Sequence, residues 1–234
     1  MKRGTLLWIA AVAAVAVVVA AQVVLAAGRP DRAGQAGAPR VAPGADVLAG
    51  IAVVPERVRG NDYRRAAFGD AWDDDNGAPG GGNRCDTRND ILTRDLTEKT
   101  FTATGRCPRA VASGSLRDPY TDSTVAFVRG NQVGTSVQID HIVPLAFAWD
   151  MGARDWTDQL RKRFANDPAN LLAVAGQANQ DKGDLPPGEW LPPNTAFRCQ
   201  YAVAFIGVLR GYRLPVDRDS ARELRNAAAS CPSS

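Results

Sequence analysis

The residue types that could carry hydrolytic chemistry gather in one stretch, residues 138–194. Asp140 and His141 are adjacent, Asn170 follows Asp167-Pro168, and Asn179 and Lys182 stand three residues apart. His141 is the only histidine in a chain of 234 residues. That count excludes the HExxH zinc-protease helix, which needs two imidazoles, and the His-rich zinc sites. Hydrolysis of a phosphodiester needs a base for water and a divalent cation against the developing charge, and no covalent intermediate. An imidazole suits the base, because its ordinary pKa of about 6.5 lies near neutral pH. On that value, activity should fall below roughly pH 6 to 6.5. A carboxylate and a carboxamide oxygen are hard donors that suit magnesium or manganese, which keep several waters and take further ligands from phosphate. A secreted serine hydrolase using His141 is a rival reading. It lacks a G-x-S-x-G elbow, and Asp140 is poorly placed to orient the ring of its own neighbour in sequence.

These residues need elements to hold them. STVAFVRG and VGTSVQIDHIV have the β-branched alternation of two strands, separated by a turn at Gly130-Asn131. Asp140 and His141 would point to opposite sides of a regular strand, so both serve one phosphate only if the strand ends there. Pro144, which restricts Val143 to extended backbone, fits such an ending. LAFAWDMG and WTDQLRKRFA read as helices, the second with Trp156, Leu160 and Phe164 on one stripe. Asp167-Pro168 breaks it, NLLAVAG is a short apolar strand, and QANQDKGD begins a helix that LPPGEWLPP must end. Phe197, Tyr201, Phe205, Val208 and Leu209 mark an amphipathic helix, and ARELRNAAAS another. Upstream, ILTRDL is a short helix or strand and TFTATG a strand, DPYTD is a turn, and Tyr63, Phe68 and Trp72 are core anchors. Asp73-Asp74-Asp75 with the following GAPGGG reads as a solvated loop, because its carboxylates lack the alternation of a calcium loop. The pattern as a whole is α+β.

The composition, 45% hydrophobic and 23% charged, is that of a globular protein and excludes collagen, wholesale disorder and a multi-span membrane protein. Lys2 and Arg3 precede an apolar run in which no residue from Gly4 to Gly28 is charged. Positive charge ahead of such a run is the pattern of export, as a cleaved signal peptide or a retained anchor over residues 1–27. Residues 28–46 are Pro-, Gly- and Ala-rich and read as a flexible linker, which leaves residues 47–234 as one domain. The whole chain carries a net charge of +3, and losing Lys2 and Arg3 leaves it near +1, so an anionic partner must meet a local patch. Cys85, Cys107, Cys199 and Cys231 contain no CxxC pair, and in an exported protein they imply two disulfides. Three connectivities are open, of which loop closure favours the nearest-neighbour pairs Cys85–Cys107 and Cys199–Cys231.

DHIVPL, followed by NLLAVAGQANQDKGD and WLP, resembles the HNH nucleases with the ββα-metal motif, and among them the exported relatives of the GmrSD-type restriction endonuclease C-terminal domain. CDTR at 85–88, DPYT and the terminal cysteine extend the likeness more loosely from about Val47 to Cys231. The resemblance implies an HNH endonuclease with a ββα-metal core, additional helices and a nucleic-acid substrate, DNA ahead of RNA. It implies His141 as general base, Asp140 and Asn179 as ligands of one divalent cation, Mg2+ ahead of Mn2+, and Asn170 as the residue fixing the loop that holds the base. Lys182 would neutralise phosphate. Asn179 stands where a second His is usual, which favours oxygen-loving metals. Ala175 and Ala178 stand where some HNH proteins carry zinc-binding cysteines, so no structural zinc is expected.

Plainer readings stand beside these. Asp140 could pair with an arginine, and Asn179 could be a first-turn helix residue. Arg161-Lys162-Arg163 reads as a solvated helix face rather than a phosphate patch, and Trp149, Trp156 and Trp190 as core rather than base-stacking residues. Arg88 in CDTR is a weaker candidate for substrate contact. A disulfide-braced binding module on an inactive nuclease scaffold is the second alternative function, and its signature would be a missing catalytic residue. The expected product is a monomer, secreted or anchored to the outer face of a membrane by its N-terminal segment.

Overall fold

The computed structural model describes residues 39–130 and 136–233. The signal or anchor segment expected over residues 1–27, most of the linker, and Asn131 of the expected Gly130-Asn131 turn lie outside the described residues.

In chain order the elements are β1 (Val53–Val54), α1 (Thr87–Asp95), β2 (Thr97–Thr104), β3 (Cys107–Arg117), β4 (Thr124–Val128), β5 (Val137–His141), α2 (Leu145–Asp150), α3 (Asp158–Asn166), β6 (Leu171–Ala175), α4 (Gly176–Lys182), α5 (Arg198–Tyr212), β7 (Val216–Asp217) and α6 (Arg218–Ala228). The architecture is mixed α+β. The strands make three small sheets: β2-β3-β4 and β5-β6 are antiparallel, and the short β1-β7 pair is parallel.

The antiparallel β5-β6 pair lies between two apolar clusters. Val137, Ile139, Leu171 and Ala173 face a smaller cluster with Ile91, Leu92, Leu116 and Phe127. Val174 faces a larger one built from α2, α3, α5 and α6 around Phe147, Phe164, Tyr201 and Phe205. A strand buried on both faces reads as a continuous apolar run, which is what LLAVA is. The two strands expected to flank Gly130-Asn131 both form, but they do not pair with each other. β4 pairs with β3 in the register Ser113↔Val128, and β5 pairs with β6 in the register His141↔Leu171. β3 was not anticipated, because Ser113, Gly114 and Ser115 interrupt its apolar pattern. Gly114 is required there, since a Cβ would sit 3.0 Å from the Leu96 side chain.

Local signals explain most helix ends. Asp86, Thr157 and Asp217 cap α1, α3 and α6 by accepting from Asn89, Leu160 and Ser220 amides respectively. Trp156 falls just outside α3 and packs edge-on against Phe164. The disulfides are Cys85–Cys107 and Cys199–Cys231. Fixed contacts begin within the stretch read as linker. The Val41 amide donates to the Pro232 carbonyl at 3.1 Å, and Asp46 pairs with Arg225 at 3.3 Å.

Candidate functional site

β5 ends at His141, and the backbone then turns under the control of Asn170. The Ile142 amide donates to the Asn170 carbonyl at 2.8 Å, and the Val143 amide donates to Asn170 Oδ1 at 2.8 Å. Asn170 Nδ2 returns a bond to the Val143 carbonyl at 3.2 Å. The carboxamide thus stands in for a backbone partner after the ladder stops. Asn170 is fully buried, so it holds the turn and cannot touch a substrate. It is itself held by the bend at Asp167-Pro168, where Asp167 accepts from Ala169 at 2.9 Å and from the Tyr212 hydroxyl at 2.6 Å.

His141 is 7% exposed. Its Nε2 lies 2.9 Å from the Ala165 carbonyl, one of the last carbonyls of α3 and so without a partner inside the helix. A carbonyl only accepts, so Nε2 carries the proton and Nδ1 is the basic nitrogen. Burial lowers the His141 pKa to about 3; the Ala165 carbonyl pulls it upward, and the charge of Arg65 adds to the lowering. The value of 6.5 assumed from sequence therefore does not apply to the folded protein. The indole of Trp72 stacks on the imidazole, with centroids 5.6 Å apart and planes inclined by 11°. Trp72, expected to be a core anchor, is half-buried: it packs against the smaller apolar cluster and also borders the site, and its backbone is in the left-handed region at φ 61°.

Asp140 is 5% exposed and sits on the other side of the strand end. Its Oδ1 accepts from Lys182 Nζ at 2.9 Å and its Oδ2 from the Tyr120 hydroxyl at 2.5 Å. Burial pushes its carboxyl above the usual carboxylate range, while the Lys182 ammonium and the Tyr120 hydroxyl draw it back. Burial, with the Asp140 charge, also pushes the Tyr120 hydroxyl well up. Lys182, expected to meet substrate phosphate, has a side chain with no solvent exposure, and its ammonium binds Asp140 and the His141 carbonyl, each at 2.9 Å. A sealed ammonium has no route to a phosphate, so its role is to tie α4 to the end of β5.

An open cleft of about 580 Å³ collects these groups. Asp140, His141 and Asn179 line it, as do Gln138 and Arg88. Asn179 Nδ2 donates to Gln138 Oε1 at 2.7 Å. Arg88 donates to the Val137 carbonyl at 2.9 Å, so its stem is held while it borders the cleft. Four of the six expected site residues thus line one cleft; Asn170 and Lys182 support it from behind. Among the described residues no three His, Cys, Asp or Glu side chains cluster to hold a metal. The hard donors lining the cleft are two carboxylates, Asp140 and Asp184, of which Asp184 already pairs with Arg57 and Arg59, and the neutral carboxamides of Gln138 and Asn179.

Sequence reasoning missed three residues. Tyr120 lies in DPYT, a motif noted for its likeness but read only as a turn. Trp72 and Arg65 come from a stretch without periodicity, and no local signal distinguishes them. Of the tryptophans read as core, Trp149, Trp156 and Trp190 all pack against the larger apolar cluster. In the loop at Asp73–Asp75, Asp74 accepts from the amides of Gly82, Asn83 and Arg84 at 2.8 to 3.0 Å, and Asp73 pairs with Lys162 at 2.6 Å.

A protein of Arthroderma benhamiae described as an uncharacterized secreted protein is 38% identical over 149 residues, which is 63% of this chain and 68% of that protein. No solved structure matches the chain significantly. The family described as GmrSD restriction endonucleases, C-terminal domain, matches residues 86–227, a span that includes β5, β6, α4 and every residue of the expected site. The chain belongs to that family, and a nuclease-like function goes with it.

Proposed function

We propose that this protein is an exported, metal-dependent endonuclease that hydrolyses phosphodiester bonds of DNA, with RNA as the alternative substrate, and that β5, β6 and α4 form a ββα-metal core of the HNH type. The observation that carries the reading is the convergence of Asp140, His141 and Asn179 on one cleft, with the imidazole held in one tautomer.

The donor set fits a hard cation. The Asp140 carboxylate accepts from Lys182, Tyr120 and the His141 amide, three bonds for about four lone-pair sites, which leaves it room for a cation, and the Asn179 carboxamide oxygen is the other donor. Asp140 and Asn179 would hold Mg2+ or Mn2+, which when bound supplies positive charge against the phosphate and the departing 3′ oxygen. His141 Nδ1 takes the proton of the attacking water. The Ala165 carbonyl holds the opposite nitrogen, and Asn170 keeps the following turn in register, so the base needs no reorganisation as the proton moves. Lys182 and Tyr120 keep the Asp140 carboxylate from turning. Arg88 faces the substrate from the cleft wall. The sequence division stands as part of the proposal: residues 1–27 direct export, a linker follows, and the nuclease domain comes after it. Two disulfides and the secreted relative support an extracellular location.

The test is nicking of plasmid DNA by the purified protein with Mg2+, repeated with EDTA and with His141→Ala. Cleavage that needs metal and disappears in folded His141→Ala is the expected result. Near-normal turnover of His141→Ala would overturn the assignment of the base, and absence of cleavage of DNA and RNA by the wild type under all metals would favour the inactive binding module.

A further inference from the structure

We infer that Arg65 binds a backbone phosphate of the nucleic-acid substrate next to His141, and that the segment Tyr63–Trp72, which lies ahead of the family match, forms one wall of the substrate site. This rests on the nuclease reading above and extends it to residues that the family match does not cover.

The segment is built into the cleft rather than laid over it. Tyr63, Arg65 and Trp72 line the same cleft as Asp140, His141 and Asn179. Arg65 opens the 3-10 turn Arg65–Phe68, and Phe68 at its other end is buried against Phe164 in the larger apolar cluster. Upstream, Arg57 forms an ion pair with Asp150 at 2.7 Å, with side-chain exposures of 6% and 4%, and donates to the Asp184 carbonyl at 2.9 Å. Downstream, the Trp72 carbonyl accepts from the Thr87 amide at 3.1 Å while its ring lies on His141. Arg65 therefore stands on a wall fixed at both ends.

Its charge is also uncommitted to any acid. Arg57, Arg59, Arg154 and Arg161 each meet a carboxylate. No carboxylate within ion-pair distance of Arg65 occurs among the described residues, and the residue is exposed. Arg88 borders the same cleft. A cleft that holds a base and bears two guanidinium groups, with its Asp184 carboxylate already paired with Arg57 and Arg59, is suited to phosphate, two of whose oxygens a planar guanidinium meets with parallel N–H bonds. Such contacts position a strand without reading its bases.

The experiment uses the full-length chain in a His141→Ala background, so that binding is measured without cleavage. The probes are a short labelled DNA duplex and the matching single strand, titrated over a range of salt concentrations. Arg65→Ala is expected to lower the slope of log affinity against log salt by about one and to weaken binding roughly five-fold at about 0.15 M salt. Arg65→Lys should keep the slope. Arg64→Ala, an exposed neighbour outside the lining of the cleft, removes the same charge and should leave the slope unchanged. Equal slopes for Arg65→Ala and its parent, or equal losses for Arg64→Ala and Arg65→Ala, would overturn the proposal while leaving the nuclease reading intact. Failure of the parent to bind either probe at any salt would instead overturn the nuclease reading, and this proposal with it.

Discussion

The ring of Trp72 lies on the imidazole of His141, with centroids 5.6 Å apart and planes 11° from parallel, although 69 positions separate the two in sequence. The stack covers one face of the proposed base, while the Ala165 carbonyl fixes its Nε2. Together they hold the ring's tilt and its tautomer.

Replacing Trp72 with Ala should therefore lower kcat more than it raises KM. A stacked pair contributes about 0.5–1.5 kcal/mol, which corresponds to roughly a two- to ten-fold loss of rate if all of it positions the base. Trp72→Phe should keep most of the activity. Steady-state cleavage of a labelled DNA substrate measures both, and a rise in KM with kcat intact would identify Trp72 as a substrate contact instead.

The buried pair of Lys182 and Asp140 should show strong coupling. Lys182→Met leaves the Asp140 carboxylate buried with only neutral donors, the Tyr120 hydroxyl and the His141 amide, beside it, and removing one partner of such a pair costs about 3–5 kcal/mol. Adding Asp140→Asn removes the orphaned charge and should restore part of the loss. Urea unfolding of the two single variants and the double variant closes the cycle. Additive effects would mean that the pair contributes no coupling.

Tyr120→Phe isolates the third member of that network. The ring stays among Trp190, Phe197 and Tyr201, and only the bond to Asp140 Oδ2 is lost. A hydrogen bond to a charged group contributes about 1.5–3 kcal/mol, and a loss of that size in urea unfolding is expected. A neutral effect would show that the hydroxyl is dispensable to Asp140.

Asn179→Ala should weaken divalent-cation binding without unfolding the protein, because the residue is half-buried on the cleft rather than in the core. Titration calorimetry with Mn2+ on the His141→Ala protein reads this independently of cleavage. An unchanged isotherm would remove Asn179 from the cation site.

The imidazole also leaves a signature in stability. His141 titrates at about 3 in the folded protein and near 6.5 when unfolded, so below the unfolded value only the unfolded chain takes up the proton. Stability is thus lost as pH falls from about 6.5 toward 3, at up to about 1.4 kcal/mol per pH unit. In EDTA, the wild type should lose about 2 kcal/mol more than His141→Gln between about pH 7.5 and pH 5. Parallel curves for the two would show that the imidazole titrates as an ordinary exposed one.

The amino-acid order by itself determined the local units. Apolar patterning marked α2, α3, α5 and α6, Asp167-Pro168 marked the break after α3, and β6 stood out as a short apolar run. Of the three connectivities the cysteine spacing left open, loop closure favoured the nearest-neighbour pairs, which are the ones that form. The spacing of Asp140, His141, Asn170 and Asn179 pointed to the candidate site through its likeness to the HNH pattern, and Asp140, His141 and Asn179 line one cleft. What pairs with what across long separations was decided only by tertiary structure. β4 joins β3 rather than β5, and β5, which buries Val137 and Ile139 in the smaller cluster, takes the apolar β6 as its partner. Lys182 turns inward because the buried Asp140 carboxylate and the His141 carbonyl offer its ammonium partners that keep the strand end together. Trp72 and Arg65 reach the cleft from a segment without periodicity, carried there by Arg57, Phe68 and the Thr87 amide. Such placement depends on the surface they pack against, which local sequence does not encode.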